Sequence, residues 1–157
     1  EKGDEAIKGY GRLTNILTQF WLPYFLLGRA YVELGEPEHA TEAYSKSIRI
    51  DPLNPSFYDR RAELCGLMGE YNLAVADFGD AIKLNKGDPS RYVPRGIALF
   101  ALGRSTEAIQ DFDQAIKLYE QRVTFLTEAH KVKSDSRDGL QQPRLRLLPI
   151  RPTFKSS

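Results

Sequence analysis

The chain repeats itself every 34 residues, and that period limits its fold more than any other property. At this offset Tyr24, Tyr58 and Tyr92 fall in register, as do Gly35, Gly69 and Gly103, and then Ala40, Ala74 and Ala108. Tyr44, Phe78 and Phe112 follow, and after them Ile48, Ile82 and Ile116. The frame also reaches backwards, setting Ala6 under Ala40, Tyr10 under Tyr44 and Ile16 under Ile50. Three complete units are expected over 21–54, 55–88 and 89–122, preceded at 1–20 by the second helix of a truncated unit. A unit of this length cannot bury its apolar face alone, so neighbours must stack and share a core.

On both sides of each aligned glycine, apolar residues recur at three- and four-residue steps, the spacing of two helices. In the first unit these are Tyr24, Leu27, Gly28 and Tyr31 before Gly35, and Ala40, Ala43, Tyr44, Ser47 and Ile48 after it. The glycines permit a left-handed backbone where the first helix ends, and Asp51-Pro52 and Gly87-Asp88-Pro89 break the chain between units. Gly28, Ala62 and Gly96 stand where the first helix must approach the second closely, with Ala40, Ala74 and Ala108 expected as the small residues opposite. Beyond the third unit, Phe125, Leu126, Ala129 and Val132 predict a capping helix over 123–133. Residues 134–157, with three prolines and no sustained period, read as a disordered basic tail.

These residues, in this order, resemble the tetratricopeptide repeat. In the first unit Leu27, Gly28, Tyr31, Ala40 and Pro52 match the family pattern outright, with Tyr24 and Tyr44 as aromatic equivalents. Later units keep Ala74, Phe78 and Ala81, then Gly96, Ala108, Phe112 and Ala115, but carry Lys86 and Glu120 at the closing proline. The resemblance covers residues 1–122. It implies an all-α fold, a right-handed superhelical α-solenoid of helix-turn-helix repeats. One departure from the pattern is informative by itself. Units two and three place Arg61 and Arg95 where the first has Leu27, and Asp77 and Asp111 where it has Ala43. Because an unpaired half-buried charge is expensive, the paired change predicts structural ion pairs inside each unit, Arg61 with Asp77 and Arg95 with Asp111.

Charge narrows the function classes. Residues 1–133 hold 17 basic and 19 acidic side chains, so the body is near neutral and has no basic stripe for nucleic acid. The longest apolar run, Phe20 to Leu27, is broken by Pro23 and falls far short of the roughly 20 residues a bilayer span needs, so no membrane insertion is expected. A single cysteine, Cys65, forms no internal disulfide and leans towards a reducing, cytoplasmic setting. It replaces Tyr31 and Leu99 in the register and reads as a core residue. Asp77-Phe78-Gly79 spells the magnesium-binding triplet of protein kinases, yet none of the accompanying kinase motifs is present. His39 and His130 are the only histidines, and His39 with Glu42 lacks the second such pair a bundle metal site uses. With no nucleophile, base and oxyanion site assembled, the chain is expected to need no cofactor and to be no enzyme.

In this family the first helices line the inner surface that takes ligand. Helical spacing then puts Phe25, Arg29 and Glu33, Asp59, Arg60 and Glu63, and Val93, Ile97 and Phe100 on a concave peptide-binding groove. The groove changes from mixed charge to apolar along its length, and burial of its apolar part by residues 123–133 is the competing expectation. The two-carboxylate clamp with which some members hold chaperone tails maps onto Phe25, Arg29, Arg60, Ser90 and Pro94, none of the usual type. The expected function is a non-enzymatic protein-interaction scaffold binding a protein or peptide. The alternatives are an architectural, self-associating segment joined through uncovered terminal helices such as 4–17, and a co-chaperone-type adaptor without the standard clamp. In the tail, Arg146 to Pro152 has the spacing of a ligand for polyproline-binding grooves.

Overall fold

The computed structural model describes residues 2–140. Among them are seven α-helices and no strand: α1 (Lys2–Ile16), α2 (Trp21–Glu33), α3 (Pro37–Ile50), α4 (Pro55–Leu67), α5 (Tyr71–Leu84), α6 (Tyr92–Ala101) and α7 (Ser105–Leu140). A 3-10 turn, Pro89–Arg91, leads into α6. Two compact units divide the chain, Glu1–Glu120 and Gln121–Ser157.

The first unit is the solenoid, in which α2/α3, α4/α5 and α6/α7 form helix pairs and α1 packs against α2. The first helices end alike. Gly35, Gly69 and Gly103 have φ of 73°, 79° and 75°, a backbone that side-chain-bearing residues rarely adopt. One residue on, the amides of Glu36, Glu70 and Arg104 donate back to the carbonyls of Tyr31, Cys65 and Leu99 at 2.8–2.9 Å, closing the last turn. Two starts are capped by side chains, the Asn54 carboxamide oxygen accepting from the Ser56 amide and the Asp88 carboxylate from the Ser90 amide, both at 3.1 Å.

The close approach within each pair is seated differently from the small-against-small contact expected. A methyl group on Gly28 would lie 2.6 Å from the Tyr44 ring, and one on Gly96 2.6 Å from the Phe112 ring. In these two pairs the glycine thus makes room for the aromatic ring, and Ala40, Ala62, Ala74 and Ala81 are all fully buried in the core.

In the second unit the described backbone continues α7, with Val123, Phe125 and Leu126 exposed. The segment 123–133, expected as a capping helix of its own, is part of that longer helix. Glu120 stands where the first repeat has Pro52, and no glycine or proline follows until Gly139, so nothing stops the helix. Of the expected tail, residues 134–140 also belong to α7. Residues 141–157, with the Arg146 to Pro152 motif, lie outside the described residues.

Candidate functional site

The first helices α2, α4 and α6 open three adjoining clefts. One of about 510 Å³ is walled by Phe25, Arg29, Val32 and Glu33 of α2, Tyr44 of α3, and Arg60, Glu63, Leu64 and Leu67 of α4. A second, about 480 Å³, is almost wholly apolar: Ala62, Gly66 and Leu67 of α4, Tyr71, Ala74 and Phe78 of α5, and Pro94, Ile97 and Ala98 of α6, with Glu63 at its edge. A smaller one, about 230 Å³, lies over Ser56, Asp59, Arg60, Glu63, Ser90, Arg91 and Pro94. Glu63 borders all three clefts, and Leu67, 84% exposed, borders the first two. Val93 and Phe100 line none of the three, although both are exposed.

The charges available in these clefts are fewer than the sequence suggests. Arg60 is tied to Glu63 at 3.0 Å, one turn along the same helix. Asp59 is held by Arg91, whose Nε donates to both carboxylate oxygens at 2.8 and 2.9 Å. Arg29 makes no ion pair among the described residues, so it is the free cation of the first cleft.

The Asp59–Arg91 pair occupies a junction that the preceding repeat fills with rings. Shifted back by one period, its partners are Phe25 and Phe57, whose rings lie 5.3 Å apart, with Trp21 and Tyr44 packed around them. Phe25 and Asp59 therefore serve the contact between repeats as well as the inner face. Arg91 was not singled out by sequence reasoning. The signal was present: a cation in the register of Phe57, which is 1% exposed, must find a partner. The hydrogen bonds from Arg91 to Asp59 raise its guanidinium pKa above the usual arginine range.

Within repeats two and three, Arg61 Nε and Nη2 donate to the Asp77 carboxylate at 2.7 Å each, and Arg95 Nε and Nη2 to Asp111 at 2.7 and 2.5 Å. These are two-pronged contacts to aspartates only 5% exposed. They raise the pKa of both arginines, chiefly through those hydrogen bonds. Arg61 also reaches the neighbouring repeat, its Nη1 donating to Ser45 Oγ at 2.8 Å.

Of the remaining candidates, Cys65 is buried, and that burial pushes its thiol up to about 11, away from a reactive thiolate at neutral pH. His39 stacks on Tyr31 and sits 3.0 Å from Glu36, whereas Glu42 pairs with Lys46 at 2.9 Å. The described residues bring no three His, Cys, Asp or Glu side chains together as a metal would require, and no described helix is long and apolar enough to cross a membrane.

Profiles of the tetratricopeptide repeat match residues 21–54 and 98–128. The first match covers the α2/α3 pair, whose glycine turn recurs in the next two pairs and whose ring-on-glycine contact recurs in the α6/α7 pair. This is a tetratricopeptide-repeat protein. Among solved structures, the MamA protein aligns with a TM-score of 0.73 at 22% identity, over 78% of this chain and 67% of its own. The first repeat domain of Spaghetti (RPAP3), solved bound to the HSP90 peptide SRMEEVD, aligns with a TM-score of 0.61 at 27% identity, over 76% of this chain and 94% of its own. The second domain of the same protein, bound to the same peptide, gives 0.60 at 27%, over 73% and 98%. No curated protein matches the chain by sequence. As a tetratricopeptide-repeat protein, the chain belongs to a fold used for protein interaction.

Proposed function

We propose that the chain is a non-enzymatic scaffold that binds a peptide along α2, α4 and α6. The observation that carries this reading is the adjacency of two clefts of unlike character sharing Glu63 and Leu67, one polar with the free Arg29, one apolar under Ile97. A peptide laid across both would place a bulky apolar side chain against Leu67, Tyr71, Phe78 and Ile97, and an acidic one beside Arg29. That two domains of similar fold were solved with a peptide bound supports a peptide as the ligand class. The clamp positions hold Phe25, Ser90 and Pro94 rather than cations and amides, so the peptide SRMEEVD is expected to bind poorly. A reducing, cytoplasmic setting agrees with the single buried thiol.

The test is selection from a random peptide library followed by calorimetry. Selected peptides should carry an apolar anchor near an acidic residue, and Ile97→Asp, at an exposed position, should weaken them about tenfold with the circular dichroism unchanged. Selection that yields no micromolar binder, or binders indifferent to Ile97→Asp and Arg29→Ala, would overturn the reading.

A further inference from the structure

We propose that the apolar cleft between α4, α5 and α6 seats an aromatic side chain of the bound peptide, in space that Gly66 and Ala98 leave open and that the preceding junction fills with Val32 and Leu64. This rests on the groove reading and names the chemical class of its anchor.

The two large clefts are one site met twice. Moved on by one period, Arg29, Val32, Tyr44 and Leu64 of the first cleft become Glu63, Gly66, Phe78 and Ala98 of the second. In the first junction Leu64 packs with Ala40 and Tyr44, and Val32 stands on the wall beside them. In the second, Ala98 meets Ala74 and Phe78, and Gly66 has no side chain to add. Valine to glycine and leucine to alanine each remove three carbons, together about six, the carbon count of a phenyl ring.

The fold itself gives Gly66 no other use. Gly28 and Gly96 each make room for a ring, and Gly35, Gly69 and Gly103 need their positive φ. Gly66 has neither reason: it lies within α4, its φ is not in the left-handed region, and a β-carbon there would meet nothing within 4 Å. A helix gives up stability to hold a glycine at such a place. What the glycine provides is room in the cleft.

The walls favour a ring over a branched aliphatic chain. Tyr71 replaces Pro37 in the register and packs, partly buried, against the cluster that holds Phe78, so two aromatic residues border the space. The one charged residue of the lining is Glu63, where the first cleft has Arg29. A carboxylate would be repelled there, whereas the positive edge of an aromatic ring, above all one with an N–H or O–H donor, complements it.

The probes are N-acetyl-tryptophanamide and N-acetyl-leucinamide, titrated into the isotopically labelled chain. The tryptophan compound should give saturable shifts centred on Gly66, Ala74 and Ala98, and should bind about fivefold more tightly than the leucine compound. Gly66→Val restores the residue of the first repeat where there is room for it, and should weaken the tryptophan compound about tenfold while the circular dichroism stays unchanged. Ala98→Leu, the second such restoration, should act in the same direction. Equal binding of the two compounds, shifts centred elsewhere, or indifference to both substitutions would overturn the proposal. Library peptides with aliphatic anchors that ignore Gly66→Val would also overturn it, and would leave the groove reading standing. The converse result, saturable tryptophan binding with no peptide selected, would support the aromatic seat and remove the groove reading alone. A concentration-dependent dimer abolished by Gly66→Val would assign the cleft to a second copy of the chain and count against the proposal.

Discussion

The side chains that differ between repeats are more instructive than those that agree. Repeat one solves the contact between its helices with Leu27 and Ala43, while repeats two and three use an arginine and an aspartate in the same places. Asp77→Ala alone leaves a half-buried guanidinium without its partner and should cost about 3–5 kcal/mol in urea denaturation. Combined with Arg61→Leu, it recreates the chemistry of repeat one, and most of that loss should be recovered, to within about 1 kcal/mol of the parent. If the double variant stays as unstable as the single one, Arg61 contributes mainly through Ser45 in the neighbouring repeat. This pair could be read from sequence because both members change together at one fixed spacing. The Asp59–Arg91 pair changes together too, but Asp59 sits in the first helix of one repeat and Arg91 in the turn that opens the next. A search confined to one repeat assigns Asp59 to the inner face and passes over Arg91.

Among the elements, helix identity and order follow directly from the period, because the glycine turn and the alternation of small and aromatic residues recur without insertions. Less was legible at the end of the array, where a helix ends only if something stops it and Glu120 in place of proline does not. One helix carries a visible flaw. Gly79 lies in the interior of α5 at the register of Ser45, and a β-carbon there would come 3.7 Å from Arg95 Nη1. Gly79→Ser should therefore supply to Arg95 the acceptor that Ser45 supplies to Arg61. Thermal denaturation should show a gain of about 1–2 kcal/mol, from helix propensity and the added hydrogen bond together. The Gly79→Ala variant separates the two contributions and should gain only about 0.5–1 kcal/mol.

For the solenoid as a whole, each pair touches only its neighbours, so stability is a chain of local terms. Phe57 is 1% exposed and makes ring contacts with Trp21 and Phe25 across the first junction. Phe57→Ala should cost about 3–5 kcal/mol, and the loss should not spread evenly. Hydrogen exchange should accelerate most in α1, α2 and α3, which depend on that junction, and least in α6. Uniform acceleration would mean that the pairs unfold as a single block.

The two junctions have a consequence for how such a chain can be rearranged. Rings meet rings at one joint and an acid meets a base at the next, so the modules behave like keyed connectors and not like interchangeable bricks. Transposing them would set Phe25 against Arg91 and strand Asp59, which gives the linear order of the segments an energetic basis that the shared helical motif alone would not provide.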